Sequence, residues 1–179
     1  MQGCTQENFD RLQLGKVTEE RISGIDAANK YPHMMVFGKP GAGKTTFLKY
    51  LAISCMGGEF QGARVPVFIT LKNWASDSNK PKLLEFVSQE LANCDVTNKE
   101  TVELFNQGRV LLLLDGLDGV LKEDSHRVIR QIQDFSDRYR SNVIVVTCRI
   151  AAREYTFQGF TEVEVADFDD QQIKTFACK

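Results

Sequence analysis

Apolar residues recur along the chain in two rhythms. Residues 33–37 (His-Met-Met-Val-Phe), 66–71 (Pro-Val-Phe-Ile-Thr-Leu), 109–115 (Arg-Val-Leu-Leu-Leu-Leu-Asp) and 142–147 (Asn-Val-Ile-Val-Val-Thr) are short, nearly continuous apolar runs, and 162–165 is a weaker fifth. Runs without a polar face read as strands buried on both sides, as in parallel sheets. Between them the apolar positions are spaced helically. Phe47, Leu48, Leu51, Ala52 and Cys55 form one face over 46–55; Leu84, Val87 and Leu91 do so over 81–93, with Pro81 suited to a first turn. Val128, Ile132, Phe135 and Tyr139 line a long amphipathic helix over about 124–140. Thr97-Asn-Lys-Glu100 has capping-box spacing and opens a short helix that Gly108 closes. Residues 9–30 read as a polar lead-in, partly helical around 18–21, and a further helix is predicted from 169 onward. Strand and helix alternate, so the chain reads as α/β, a parallel sheet between helical layers joined by right-handed crossovers. Ligands of such sheets sit beyond the C-terminal ends of the strands.

Composition narrows the class. A chain of 179 residues with 42% hydrophobic and 26% charged residues is ordinary for one globular domain. Its net charge of −2 gives no reason to expect nucleic acid or an anionic membrane as the main partner. The five cysteines (Cys4, Cys55, Cys94, Cys148, Cys178) are widely spaced and include no C-x-x-C pair, which argues for reduced thiols rather than a zinc or disulfide framework. No apolar run approaches the roughly 20 residues a bilayer span needs. The first eight residues are polar and lack a signal-peptide core, so a cytoplasmic location is expected.

The chemistry is concentrated in three places. Gly38-Lys39-Pro40-Gly41-Ala42-Gly43-Lys44-Thr45 fills the P-loop pattern G-x-x-x-x-G-K-[ST], between a predicted strand and a predicted helix, with Thr46 next in line. Its glycines let backbone N–H groups curl around phosphate oxygens. Lys44 reaches the β- and γ-phosphates, and the Thr45 hydroxyl binds Mg²⁺. The run 111–114 ends in Asp115, a carboxylate at the sheet edge expected to hold Mg²⁺; the plain alternative is a cap on the following turn. Asp118, three residues on, is a candidate to orient the attacking water; the plain alternative is a solvated residue in a turn-rich segment. Arg149, closing Val146-Thr147-Cys148-Arg149, is a candidate γ-phosphate contact, or else a salt-bridge partner on the sheet edge.

Together these motifs resemble the NACHT subgroup of signal-transducing P-loop NTPases, the STAND class related to AAA+ proteins and NOD-like receptors, and especially its bacterial, cyanobacterial branch. The resemblance runs from about residue 21 to the C-terminus. It rests on the P-loop through Thr46, on Asp115-Gly116-Leu117-Asp118 and on Thr147-Cys148-Arg149. It implies a three-layer fold with a five-stranded parallel sheet ordered 5-1-4-3-2, and ATP (or GTP) with Mg²⁺ as cofactors. It also implies self-association through this domain in a longer parent protein. The chain then reads as a nucleotide-binding core at 31–179 behind the lead-in at 1–30, cut before the helical and winged-helix domains of such parents. Arg21-Ile22-Ser23-Gly24 is similar to the family's base-packing loop, and reads equally as a surface turn. One departure stands out. The family pattern has an acid pair after the first Walker B acid, and here Gly119 replaces the second, normally Glu.

Two functions follow. One is an NTPase whose cycle drives oligomerisation, with Lys44 and Mg²⁺ neutralising phosphate, Asp118 orienting water and Arg149 reading the γ-phosphate. The other is a nucleotide-locked switch with little turnover. A small-molecule phosphotransferase would need lid arginines, hinted at only by Arg149 and Arg153. A Ras-like GTPase is disfavoured, because neither Asn29-Lys30 nor Asn98-Lys99 continues to the aspartate that reads guanine.

Overall fold

A computed structural model describes residues 22–152 and 155–166. Its elements alternate as the hydrophobic pattern demands: α1 (Gly24–Lys30), β1 (His33–Gly38), α2 (Lys44–Met56), β2 (Val65–Thr70), α3 (Leu71–Ala75), α4 (Leu83–Ala92), α5 (Asn98–Asn106), β3 (Val110–Asp115), α6 (Lys122–Arg138), β4 (Val143–Arg149) and β5 (Thr161–Glu164). The five strands form one sheet ordered β2-β3-β4-β1-β5. Every pairing is parallel. Read from the other edge this is 5-1-4-3-2, the order the family resemblance implies.

Period-two alternation divides the core between the two faces of the sheet. Met34 and Val36 of β1, Leu111 and Leu113 of β3, and Val143 and Val145 of β4 pack with Ala27 and Ala28 of α1 and Leu48, Leu51 and Cys55 of α2. The alternate residues Met35, Phe37, Leu112, Leu114, Ile144 and Val146 pack with α4, α5 and α6. There Phe105 meets Phe135 edge to face at 4.9 Å, and Phe135 meets Tyr139 at 4.8 Å. Each buried Leu or Val side chain is worth about 1.5–3 kcal/mol, and β1, β3 and β4 supply such side chains to both faces. This explains why those three strands read most clearly in the sequence.

Element ends differ from the pattern-based reading for local reasons. Leu71 is the first residue of α3 rather than the last of β2. That single helical turn buries Trp74, whose Nε1–H donates to Pro81 O at 3.0 Å. Pro81 therefore lies ahead of α4, which is capped instead by Glu85 accepting the Lys82 N–H at 2.9 Å. In α1, Ser23 Oγ accepts the Asp26 N–H at 3.1 Å. The capping box of α5 forms as expected, with the Thr97 N–H donating to Glu100 at 2.8 Å. Gly108, at φ +67°, ends that helix: its N–H reaches Phe105 O, and the next N–H, of Arg109, reaches Leu104 O. The helices expected around 18–21 and after 169 fall outside the described residues, as do Arg21 and Arg153. Among the described residues no helix is long and apolar enough to cross a membrane.

The N-terminal end of the sheet is tied by side chains that bond to main chain. The wholly buried Asn142 accepts the Val110 N–H at 3.0 Å and donates to Phe105 O and Tyr139 O, each at 2.9 Å. Arg64 donates to Gly108 O and to Ser141 O. These bonds fix where β3 and β4 start, and so how far their other ends project.

Candidate functional site

β1 is an interior strand, between β4 and β5, and delivers the P-loop to the C-terminal edge of the sheet. Gly38 ends the strand in a close-packed spot, where an added Cβ would lie 3.2 Å from Ala42 Cβ and 3.4 Å from Lys44 Cγ. Lys39 and Pro40 are exposed, and the Ala42 N–H returns to Lys39 O at 3.1 Å, closing the turn. Gly41 and Gly43 take φ of +78° and +84°, a left-handed geometry that side chains rarely adopt. Gly43 is the N-cap of α2, and the first helical bond runs from Phe47 N–H to Gly43 O. The N–H groups of Lys44, Thr45 and Thr46 precede that bond, so they have no acceptor within the helix. With the helix dipole behind them they make an anion cradle.

The lysine spans the loop it belongs to. Lys44 Nζ donates to Gly38 O at 2.8 Å and to Lys39 O at 3.0 Å, using two of its three N–H donors. Its ammonium is thereby held over the cradle rather than free in solvent.

Two further strands meet the P-loop here. Thr45 Oγ1 donates to Asp115 Oδ2 at 2.8 Å, across 70 residues of sequence. Asp115 Oδ1 accepts from Thr147 Oγ1 at 2.6 Å, and the same Thr147 oxygen accepts the Gly116 N–H at 2.8 Å. A hydroxyl and a carboxylate this close are hard oxygen donors of the kind Mg²⁺ takes. Among the described residues no group of three or more His, Cys, Asp or Glu could hold a metal unaided. A cation at Thr45 and Asp115 therefore fits as one sharing its shell with phosphate and water, which is how Mg²⁺ sits in nucleotide sites.

Asp118 and Arg149 also meet. Asp118 lies on a short 3-10 turn, Leu117–Gly119, directly after β3. Its Oδ1 accepts the Arg149 N–H at 2.9 Å, and its Oδ2 pairs with Arg149 Nε at 2.8 Å. The Asp118 side chain is 15% exposed and the Arg149 side chain 58%. The guanidinium is thus anchored at one nitrogen and otherwise faces solvent. Between Thr147 and Arg149, the Cys148 thiol points to the opposite face of the sheet. Burial, and next the Asp118 charge, push it up to about 11. It is neutral at pH 7 and no nucleophile.

Among the described residues, the candidate catalytic and metal-binding side chains gather at one edge, as two clusters: Lys44, Thr45 and Asp115 around the cradle, and Asp118 with Arg149 beside it. Thr147 belongs to the first cluster and the motif reading gave it no role of its own. Its sequence signals are a hydroxyl near the end of an otherwise apolar strand and its place in the Thr147-Cys148-Arg149 motif.

Comparison with known proteins bears on the family and the fold. The family model described as the NACHT domain matches residues 33–179. No curated protein matches the chain. Among solved structures, it is similar to AMPPCP-bound DnaA from Aquifex aeolicus at 17% identity and a TM-score of 0.50, covering 84% of this chain and 46% of that one. PCH-2 from C. elegans gives 17% identity, a TM-score of 0.45, and coverage of 85% and 42%. The Pif1 helicase from Candida albicans gives 14%, 0.45, and coverage of 90% and 43%. The chain thus spans less than half the length of each of these solved proteins.

Proposed function

The chain belongs to the NACHT domain family, and from that premise we propose that it binds a nucleoside triphosphate with Mg²⁺, ATP in preference to GTP, and hydrolyses it. The observation that carries this reading is the 2.8 Å contact between Thr45 and Asp115, which joins the P-loop to the end of β3 at the mouth of the α2 cradle. Residues 38–46 wrap the phosphates through main-chain N–H groups, and Lys44 neutralises the β- and γ-phosphate charge. Thr45 and Asp115 hold Mg²⁺, which, when bound, offsets charge developing on the leaving phosphate. Asp118 orients the attacking water and Arg149 contacts the γ-phosphate. ATP is favoured on family grounds, since the phosphate-binding residues are indifferent to the base. In the parent protein this domain serves as a cytoplasmic signalling switch of the STAND class that self-associates according to the nucleotide bound.

Two observations favour a slower variant of the same function, a nucleotide-held switch. Gly119 stands where the family's second acid is expected. Both carboxylate oxygens of Asp118 are already engaged by Arg149. Water orientation by Asp118 requires Arg149 to move its side chain to the γ-phosphate first, so chemistry waits on correct engagement of the nucleotide.

Binding of ATP, ADP and GTP, measured with phosphate release, tests the reading. Tight ATP binding with slow release, both lost in Lys44→Ala, is the expected result. Failure to bind any nucleotide overturns it.

A further inference from the structure

We propose that Thr147 is a positioning residue that sets the Asp115 carboxylate for Mg²⁺; the proposal rests on the nucleotide-site reading above. The backbone ladder between β3 and β4 runs from Leu111↔Val143 to Leu114↔Val146 and goes no further. Beyond it the strands follow different neighbours: Asp115 stands opposite Thr70 of β2, and Thr147 opposite Val36 of β1. At that point the Thr147 hydroxyl takes over the link. It accepts the Gly116 N–H at 2.8 Å and donates to Asp115 Oδ1 at 2.6 Å.

That pair of bonds settles the carboxylate. With Oδ1 held by a donor from β4, Oδ2 is the oxygen that faces Thr45. A carboxylate bonded at one oxygen presents a single, fixed donor to a cation, while an untethered one rotates and offers either or both. Thr147 is fully buried, so its hydroxyl has no water to compete for it. Strand alternation puts it on the face that carries α2, together with Val143, Val145 and Asp115. A valine would fill the same space and still lose both bonds, leaving the Gly116 N–H and one Asp115 oxygen unpaired.

A hydroxyl acting only through packing would not distinguish nucleotide with Mg²⁺ from nucleotide without it. A hydroxyl that aims the cation ligand would. The test compares wild type, Thr147→Val and Thr147→Ser for ADP and ATP binding by calorimetry, across a Mg²⁺ titration and in EDTA, with circular dichroism confirming the fold. The expected result is that Thr147→Val raises the Mg²⁺ concentration needed for half-maximal binding by about ten- to a hundredfold, the usual cost of losing a group that orients a metal ligand. Binding in EDTA stays as in wild type, and Thr147→Ser restores the Mg²⁺ response. If Thr147→Val does not fold, Thr147→Ala carries the same comparison. Equal weakening with and without Mg²⁺, or no change in either, overturns the positioning role while leaving the nucleotide site intact. Wild type that binds no nucleotide overturns both.

Discussion

At the N-terminal edge of the sheet, Asn142 directs all its side-chain hydrogen bonds, and Arg64 most of its own, at main-chain groups around them. At the C-terminal edge, Thr45, Asp115, Thr147, Asp118 and Arg149 bond chiefly to one another. Both edges are polar and belong to the same strands, so the difference is one of wiring. A fully buried side chain bonded to main chain cannot change partner without moving the fold; Asn142, wholly buried and bonded three times, is such a group. A side chain bonded to another side chain can exchange that partner for a ligand. Thr45 can turn from Asp115 to a cation, and Arg149 from Asp118 to a phosphate, without a strand shifting. One edge holds the sheet and the other is built to be rearranged.

Substitutions at the two edges should separate these roles. The largest effect is expected from Asn142→Leu, which orphans the buried Val110 N–H and removes the side-chain bonds to Phe105 O and Tyr139 O, each of which keeps one main-chain donor. Loss of about 3 kcal/mol is expected. For a chain of this size that lowers the melting temperature by about 10 °C. Nucleotide affinity of the folded fraction should be unchanged, as calorimetry well below the transition will report. Lys44→Ala should do the reverse. Its melting temperature should stay within a degree or two of wild type, while ATP affinity falls by about a hundredfold, the usual scale for a lost charge-stabilising donor in a preorganised site.

Gly119→Glu sharpens the functional edge itself. Position 119 is exposed, and an added Cβ meets only Lys72 Cβ at 3.9 Å, so the side chain fits without strain. Supplying the second acid should raise steady-state phosphate release by about tenfold, less than the roughly hundredfold or more that a fully positioned base contributes. No gain would mean that the Arg149–Asp118 pair, not the missing acid, sets the rate.

The smallest effect belongs to His33 at the structural edge, where it stacks on Phe160 at 5.2 Å. Burial lowers its pKa below 6.5, partly offset by a hydrogen bond with Asn142 main chain. The unfolded chain therefore takes up this proton first as pH falls. The contribution is fully present above about 6.5 and is lost as pH drops through the folded-state value. Urea midpoints at pH 7 and pH 5 should differ more for wild type than for His33→Gln.

Much of this was legible in one dimension because it depends on local chemistry. Continuous apolar runs at 33–37 and 109–115 mean strands covered on both faces, and G-x-x-x-x-G-K-T means a phosphate loop. These requirements lie within a few residues of one another. α3 escaped notice because one turn of helix is too short to show a period, and what makes it is Trp74 finding Pro81 O. Local pattern puts Pro81 in the first turn of α4, whereas the bond from Trp74 to its carbonyl is made across the loop ahead of that helix.

Sequence alone thus determined the α/β class, the P-loop, the acid closing β3 and the polar residues closing β4. Which of those groups touch was decided only by tertiary structure. The separation from Thr45 to Asp115 along the chain is 70 residues, and nothing local to either says they will stand 2.8 Å apart. That distance follows from β4 inserting between β1 and β3, which places Thr147 where the β3–β4 ladder stops. The pairing of Arg149 with Asp118, 31 residues apart, is likewise set by β4 lying beside β3. Residue types carry the chemistry, and the order of strands in the sheet carries the pairing.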